Sequence, residues 1–237
     1  MKQSLIILAA ASLIVFSSCE KVVGEGPVVT ETRMVDSFTG VSSGFSATVN
    51  YTIGPVLRVE VQGQQNVLDV LKTSSSNGIL TVDFKDNARV KSHEPVIVNI
   101  TAPSLDYITQ TGSGNIFAKG HIVSTRLDIN ISGSGNISVE DAVISDKIDA
   151  RVSGSGHLVI TTGAAKNETL QVSGSGYMDL VNVPAQNADV HISGSGYTKV
   201  NLSQSLDAHI SGSGDVWYLG NPVISTHISG SGKVRQL

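Results

Sequence analysis

The sequence of 237 residues is long enough for one large all-β domain or two small ones. It contains 24 Gly and only 15% charged residues, a balance that suits a turn-rich β protein better than a helical one. Its net charge of −4, with no basic stripe and no run of like charges, offers nucleic acid no binding surface.

Residues 1–18 read as a signal peptide. Lys2 supplies the positive end, and Leu5–Phe16 is an apolar run of about 12 residues, a signal-peptide length too short to span a bilayer. Two small residues, Ser17 and Ser18, precede Cys19, the only cysteine. This order resembles a bacterial lipobox, in which the cysteine is acylated and becomes the mature N-terminus; Phe16 stands where leucine is more usual. A lone cysteine in a secreted chain has no disulfide partner. Cys19 is therefore expected to be lipidated and to hold the protein to the outer membrane without a spanning helix. Residues 19–30, Gly-containing and poorly patterned, read as the lipidated cysteine and a tether.

Residues 31–105 read as a β-rich capping part. Strands are expected over Val28–Phe38, Phe45–Ile53, Val56–Gln62, Ile79–Phe84 and Val96–Ile100. "NVLDVLKT" at Asn66–Thr73 suggests a short helix. Asn77-Gly78 suggests a hairpin turn, and Lys85–Pro95 a charged loop.

Residues 106–237 carry seven Gly-Ser-Gly turns, beginning at Gly112, Gly133, Gly154, Gly174, Gly194, Gly212 and Gly230. The steps are 21, 21, 20, 20, 18 and 18 residues. A period near 20 with turn glycines is the signature of a stacked β-solenoid, its coils ~4.8 Å apart. The expected fold is all-β: a right-handed single-stranded parallel β-helix. Two positions before each turn stand Gln110, Ile131, Val152, Val172, Ile192, Ile210 and Ile228; four before stand Ile108, Ile129, Ala150, Leu170, Val190, Ala208 and Thr226. Such columns, alternating with polar ones, form the inward face. The serine of each turn is expected to hydrogen-bond along its ladder. At the final "KVRQL" two readings stand open: Lys233, Arg235 and Gln236 are the only cap, or that end meets another subunit in a homo-oligomer.

Two outward columns are candidate sites. Directly after successive turns, and two residues further on, Tyr177, Tyr197 and Trp217 cluster as aromatics able to stack on sugars or a protein partner. Three residues before the turns stand His191, His209 and His227, with Asp189 and Asp207 two positions earlier. Three His at ~4.8 Å steps beside carboxylates are residue types that could share a divalent ion. A flat ladder, however, presents parallel side chains rather than convergent ones, so no metal and no cofactor is expected.

"FTGVSSGFSATVNYTIG", "LRVEVQGQQNVLDVLKTSSSNGILTVDF" and the SGSG string after "VIVNITAPSLDYITQTGSG" together resemble the bacterial family named putative auto-transporter adhesin, head GIN domain, common in Bacteroidetes lipoproteins. The resemblance spans roughly residues 33–237 and implies a right-handed parallel β-helix. It carries over no catalytic residue. The functional expectation is a non-catalytic envelope protein that adheres to or recognises a glycan or envelope protein. The alternatives are a polysaccharide lyase or hydrolase on a β-helix, and a purely structural envelope component. The carboxylates Asp128, Asp149, Asp189 and Asp207 form a spaced ladder and not the close pair such hydrolysis needs.

Overall fold

A computed structural model describes residues 20–237; the stretch read as a signal peptide, residues 1–18, and Cys19 lie outside the described residues. The chain forms a parallel β-helix. Its regular part is built from β11 (Asn115–Gly133), β12 (Asn136–Gly154), β13 (His157–Gly174), β14 (Tyr177–Gly194) and β15 (Tyr197–Gly212), each one coil of the solenoid. The last coil is split into β16 (Asp215–Gly220) and β17 (Val223–Gly230), and β18 (Lys233–Gln236) follows. β11 pairs β12 in parallel with register breaks at Ala118/His121 and Ser124/Arg126, which divide the coil into three faces.

The glycine turns are set by sterics. Gly174 has φ +117, and a Cβ there would sit 2.5 Å from the carbonyl oxygen of Gly154 in the coil below. Only glycine tolerates both the positive φ and that approach. The bond that runs from turn to turn is main-chain: the amides of Ser155 and Gly156 both donate to the Gly133 carbonyl, at 3.0 and 3.1 Å. The expected serine-hydroxyl ladder is therefore replaced by backbone donors. The Ser175 side chain faces solvent.

The inward columns fill one continuous core. Ile108, Ile129, Ala150, Leu170, Val190 and Ala208 are all buried, as are Ile131, Val152, Val172, Ile192 and Ile210. Each such Ile or Val contributes roughly 2 kcal/mol. Gln110, the polar member of its column, is fully buried and donates to the Phe45 carbonyl at 3.2 Å. The columns fail only at the last coil, where Ile228 is 43% exposed because no coil covers it.

The N-terminal part continues the same solenoid. β1 (Glu20–Val23), β2 (Val28–Thr32), β3 (Gly40–Ser43), β4 (Thr48–Ile53), β5 (Arg58–Gln64), α1 (Gln65–Leu68), β6 (Leu71–Ser76), β7 (Ile79–Phe84), β8 (Ala88–Ser92), β9 (Ile97–Ala102) and β10 (Tyr107–Gln110) precede the regular coils. β3 lies parallel between β7 and β10, and β4 lies parallel between β9 and β11. The stack then ends in antiparallel strands, β6 on β7, and β5 on β9 with β2 outside it. Antiparallel pairing with half-exposed strands closes the hydrophobic end.

Three local expectations change. The helix spans one turn, Gln65–Leu68, because Leu71–Ser76 is drawn into the hairpin with β7 through Asn77 (φ 51) and Gly78 (φ 76). The charged loop contains β8. The stretch read as tether is paired chain: β1 runs parallel to β8, Val22 is buried, and β2 pairs with β5. Asn66 fixes it further, its amide donating to the Val23 carbonyl at 2.7 Å and its oxygen accepting from the Glu25 amide at 3.1 Å. No helix among the described residues is long and apolar enough to cross a membrane.

Candidate functional site

Strand register stacks identical side chains. His191, His209 and His227 occupy one column on β14, β15 and β17. Their ring centroids are 4.6 Å apart at each step, with interplanar angles of 12° and 18°. Two residues earlier, on the same outward side, Asp189 and Asp207 are also in register. Each reaches its own strand's histidine: Asp189 Oδ1 lies 2.9 Å from His191 Nε2, and Asp207 Oδ1 lies 3.3 Å from His209 Nε2. The three rings stack nearly parallel, as a flat ladder holds them, while each carboxylate turns toward the imidazole of its own strand.

Beside this column runs the serine column of Ser173, Ser193, Ser211 and Ser229. Between the two lies an open groove of about 410 Å³. Further up the stack the histidine column is continued by Gln171 and Arg151, joined by a bond of 3.3 Å from Arg151 Nε to Gln171 Oε1.

Across the glycine corner stands the aromatic column. His157 stacks on Tyr177 at 4.0 Å, and Tyr177 on Tyr197 at 4.8 Å with their planes 5° apart. Both faces of Tyr177 are covered, so its outer edge and hydroxyl are what it presents. Trp217 stands outside this column. It is in register with Lys199 below and Arg235 above, and the Arg235 guanidinium lies 5.0 Å from its ring centroid. Lys199 in turn bonds Asp179 at 3.0 Å and lies 5.8 Å from the Tyr197 ring. The bond to Asp179 raises the lysine's pKa. Burial, followed by Tyr177, raises that of the Tyr197 hydroxyl. The structure thus stacks Tyr177 on Tyr197 and sets Trp217 diagonally from them among charged residues.

The spaced carboxylates are each engaged by neighbouring side chains: Asp128 and Asp149 share Arg126, and Asp189 and Asp207 each meet a histidine. Asp149, its side chain 6% exposed, is met by Arg126 at 3.0 Å, Arg151 at 3.1 Å and Lys147 at 3.6 Å. Glu168 is a different case, and the sequence reading passed over it. It faces the core with 1% exposure, both its oxygens lack hydrogen-bond partners, and burial raises its pKa well above the usual carboxylate range. The signal was present: six residues before the second to seventh turns stand Leu127, Ile148, Glu168, Ala188, Leu206 and Ile224, an apolar column with one acid.

The architecture is shared with solved structures. A putative adhesin from Bacteroides fragilis NCTC 9343 superposes with a TM-score of 0.83 at 21% identity, covering 91% of this chain and 100% of that one. A putative adhesin from Parabacteroides merdae ATCC 43184 gives 0.80 at 22% identity, covering 92% and 99%. A protein described as a putative lipid binding protein from Parabacteroides distasonis ATCC 8503 gives 0.74 at 23%, covering 92% and 100%. At these identities the likeness is one of fold. No curated protein matches the sequence. Residues 37–222, which take in both the irregular N-terminal coils and the glycine-cornered stack, match the family described as putative auto-transporter adhesin, head GIN domain, and the chain belongs to that family.

Proposed function

We propose that this chain is a non-catalytic recognition protein of the bacterial cell envelope, adhesin-like in role, held at the outer membrane through acylated Cys19. It binds a glycan along the columns that flank the glycine corner. One observation carries the reading: the same polar and aromatic side chains recur in register on consecutive coils, as His191, His209 and His227 on one side and Tyr177 and Tyr197 on the other. Such a comb repeats every ~4.8 Å and suits a polymer with a repeating unit better than a single small molecule. The hydroxyl edges of the stacked tyrosines, the serine column and the imidazoles supply hydrogen-bonding groups for a polyhydroxylated chain. Family membership supports an adhesive role. The separate partners of Asp149 and Asp189, arginine and lysine for the one and His191 for the other, support a non-catalytic one, since glycoside hydrolysis needs a free acid and base facing each other across one bond.

The test is a glycan array probed with the protein and with its Tyr177→Ala/Tyr197→Ala/Trp217→Ala variant. Binding by the parent that the variant loses supports the reading and places the ligand beside the aromatic column. Shortening of a bound polysaccharide during incubation would instead favour an enzyme. Absence of glycan binding by either protein would favour an envelope protein as ligand. Cys19→Ala is expected to release the protein from membranes; continued sedimentation with them would remove the anchor from the proposal.

A further inference from the structure

The histidine column has a chemistry that the glycan reading does not use. We propose that Asp189, His191 and His209 form a binding site for one divalent transition-metal ion of the zinc class. Two imidazoles and a carboxylate are a borderline N/O donor set, which zinc, nickel and copper prefer and calcium and magnesium do not.

The geometry is pre-set by the fold. One ligand atom from each of Asp189, His191 and His209 lies within 4.8 Å of the other two. Strand register fixes the two rings 4.6 Å apart, so the ordering cost of bringing them together is met when the coil forms. Bonds of about 2.0–2.1 Å place tetrahedral donors about 3.3 Å apart, so His209 has to close in while Asp189 and His191, 2.9 Å apart, open slightly. The side chains of His191 and Asp189 are 46% and 52% exposed, which leaves them free to rotate by that amount. Three protein ligands leave a fourth position open to water or to a donor in the adjoining groove.

In a second triad, Asp207, His209 and His227, the ligand atoms likewise lie within 4.8 Å of one another. Both triads use His209, so they compete for it and the chain holds one ion. The second triad is the weaker because His227 lies on the exposed last coil, where no further coil holds its ring in place.

The experiment is calorimetric titration of ZnCl2 into the full chain in detergent, with Cys19→Ser in every variant so that the lone thiol offers no ligand. One zinc per chain is expected. His209→Ala breaks both triads and is expected to weaken binding by about 100-fold, and His191→Ala or Asp189→Asn, which leave the second triad, by about 10-fold. His227→Ala is expected to change affinity little. His121→Ala, removing a histidine that pairs with Asp141 elsewhere on the surface, is expected to change nothing. CoCl2 in place of zinc gives the visible absorption of a tetrahedral site, lost with His209→Ala. Metal-free melting curves within about 2 °C of the parent establish that each variant is folded. If His209→Ala does not fold, the double variant His191→Ala/His227→Ala, which also leaves each triad with a single histidine, takes its place. Absence of saturable zinc binding, binding unchanged by the triad variants, or equal affinity for CaCl2 would each overturn the site.

Discussion

Glu168 stands in register with Ile148, one coil further along the same inward column, where its carboxyl has apolar neighbours and no hydrogen-bond partner. A buried carboxylate without a partner is more costly than the hydrophobic side chain that could replace it. Glu168→Leu is therefore expected to raise unfolding stability at pH 7 by about 2 kcal/mol. Denaturant melts that show destabilisation would mean that the carboxyl is satisfied by something such as an internal water.

The same residue sets a pH dependence. Its folded pKa lies above the unfolded value of about 4.3. Below that pH both states are protonated and the group's stabilising contribution is complete. As pH rises, the unfolded chain ionises first, and stability is lost until the folded carboxyl itself titrates. Relative to Glu168→Gln, the parent's melting temperature should fall between about pH 4 and 7. A difference that stays constant across that range would contradict the buried, protonated acid.

The glycine corner makes the sharpest contrast between neighbours. Gly174→Ala forces a Cβ toward the Gly154 carbonyl at φ +117, and is expected to cost about 3 kcal/mol or more. Ser175→Ala, one residue on, changes an exposed side chain whose amide makes the coil-to-coil bond, and is expected to stay within about 0.5 kcal/mol. Similar losses in both would restore a bonding role to the hydroxyl.

Much of this was legible because a solenoid repeats a local rule. The spacing of the glycines gave the coil, and the two positions before each turn gave Ile131, Val152, Val172, Ile192 and Ile210 as core. What was hidden depends on which chains lie next to each other rather than on any one segment. Nothing local says that β7 and β9 stack outside β3 and β4, which precede them in sequence. Nothing local pairs residues 20–23 with Ala88–Ser92, about 70 residues away, so unpatterned chain read as a tether. At the histidine column the residue types were readable. The turning of Asp189 toward His191 was not, because a strand pattern fixes the side of the sheet a residue faces but not its rotamer.

Inward and outward faces separate cleanly at one pair. Ile192 is 2% exposed, and Ile192→Asp puts an unpaired charge into the core; loss of cooperative folding is expected. His191→Ala, on the opposite side of the same strand, is expected to shift stability by less than about 0.5 kcal/mol. Circular dichroism melts showing equal effects would reverse the facing of the strand.

The same column tests the end of the stack. Ile210 and Ile228 are consecutive members, yet Ile210 is 2% exposed and Ile228 43%, because β17 has a neighbour on one side only. Val223 and Leu237 are also exposed there, at 79% and 53%. An edge strand with free backbone donors and acceptors and apolar side chains is a template for another chain. Self-association through this exposed coil is the expected outcome. Sedimentation velocity should detect a concentration-dependent dimer that Ile228→Asp returns to monomer with its melting temperature little changed, whereas Ile210→Asp should unfold the protein. A parent that stays monomeric at high concentration would mean that the short final strand, its edge lined by Lys233 and Arg235, is itself a sufficient cap.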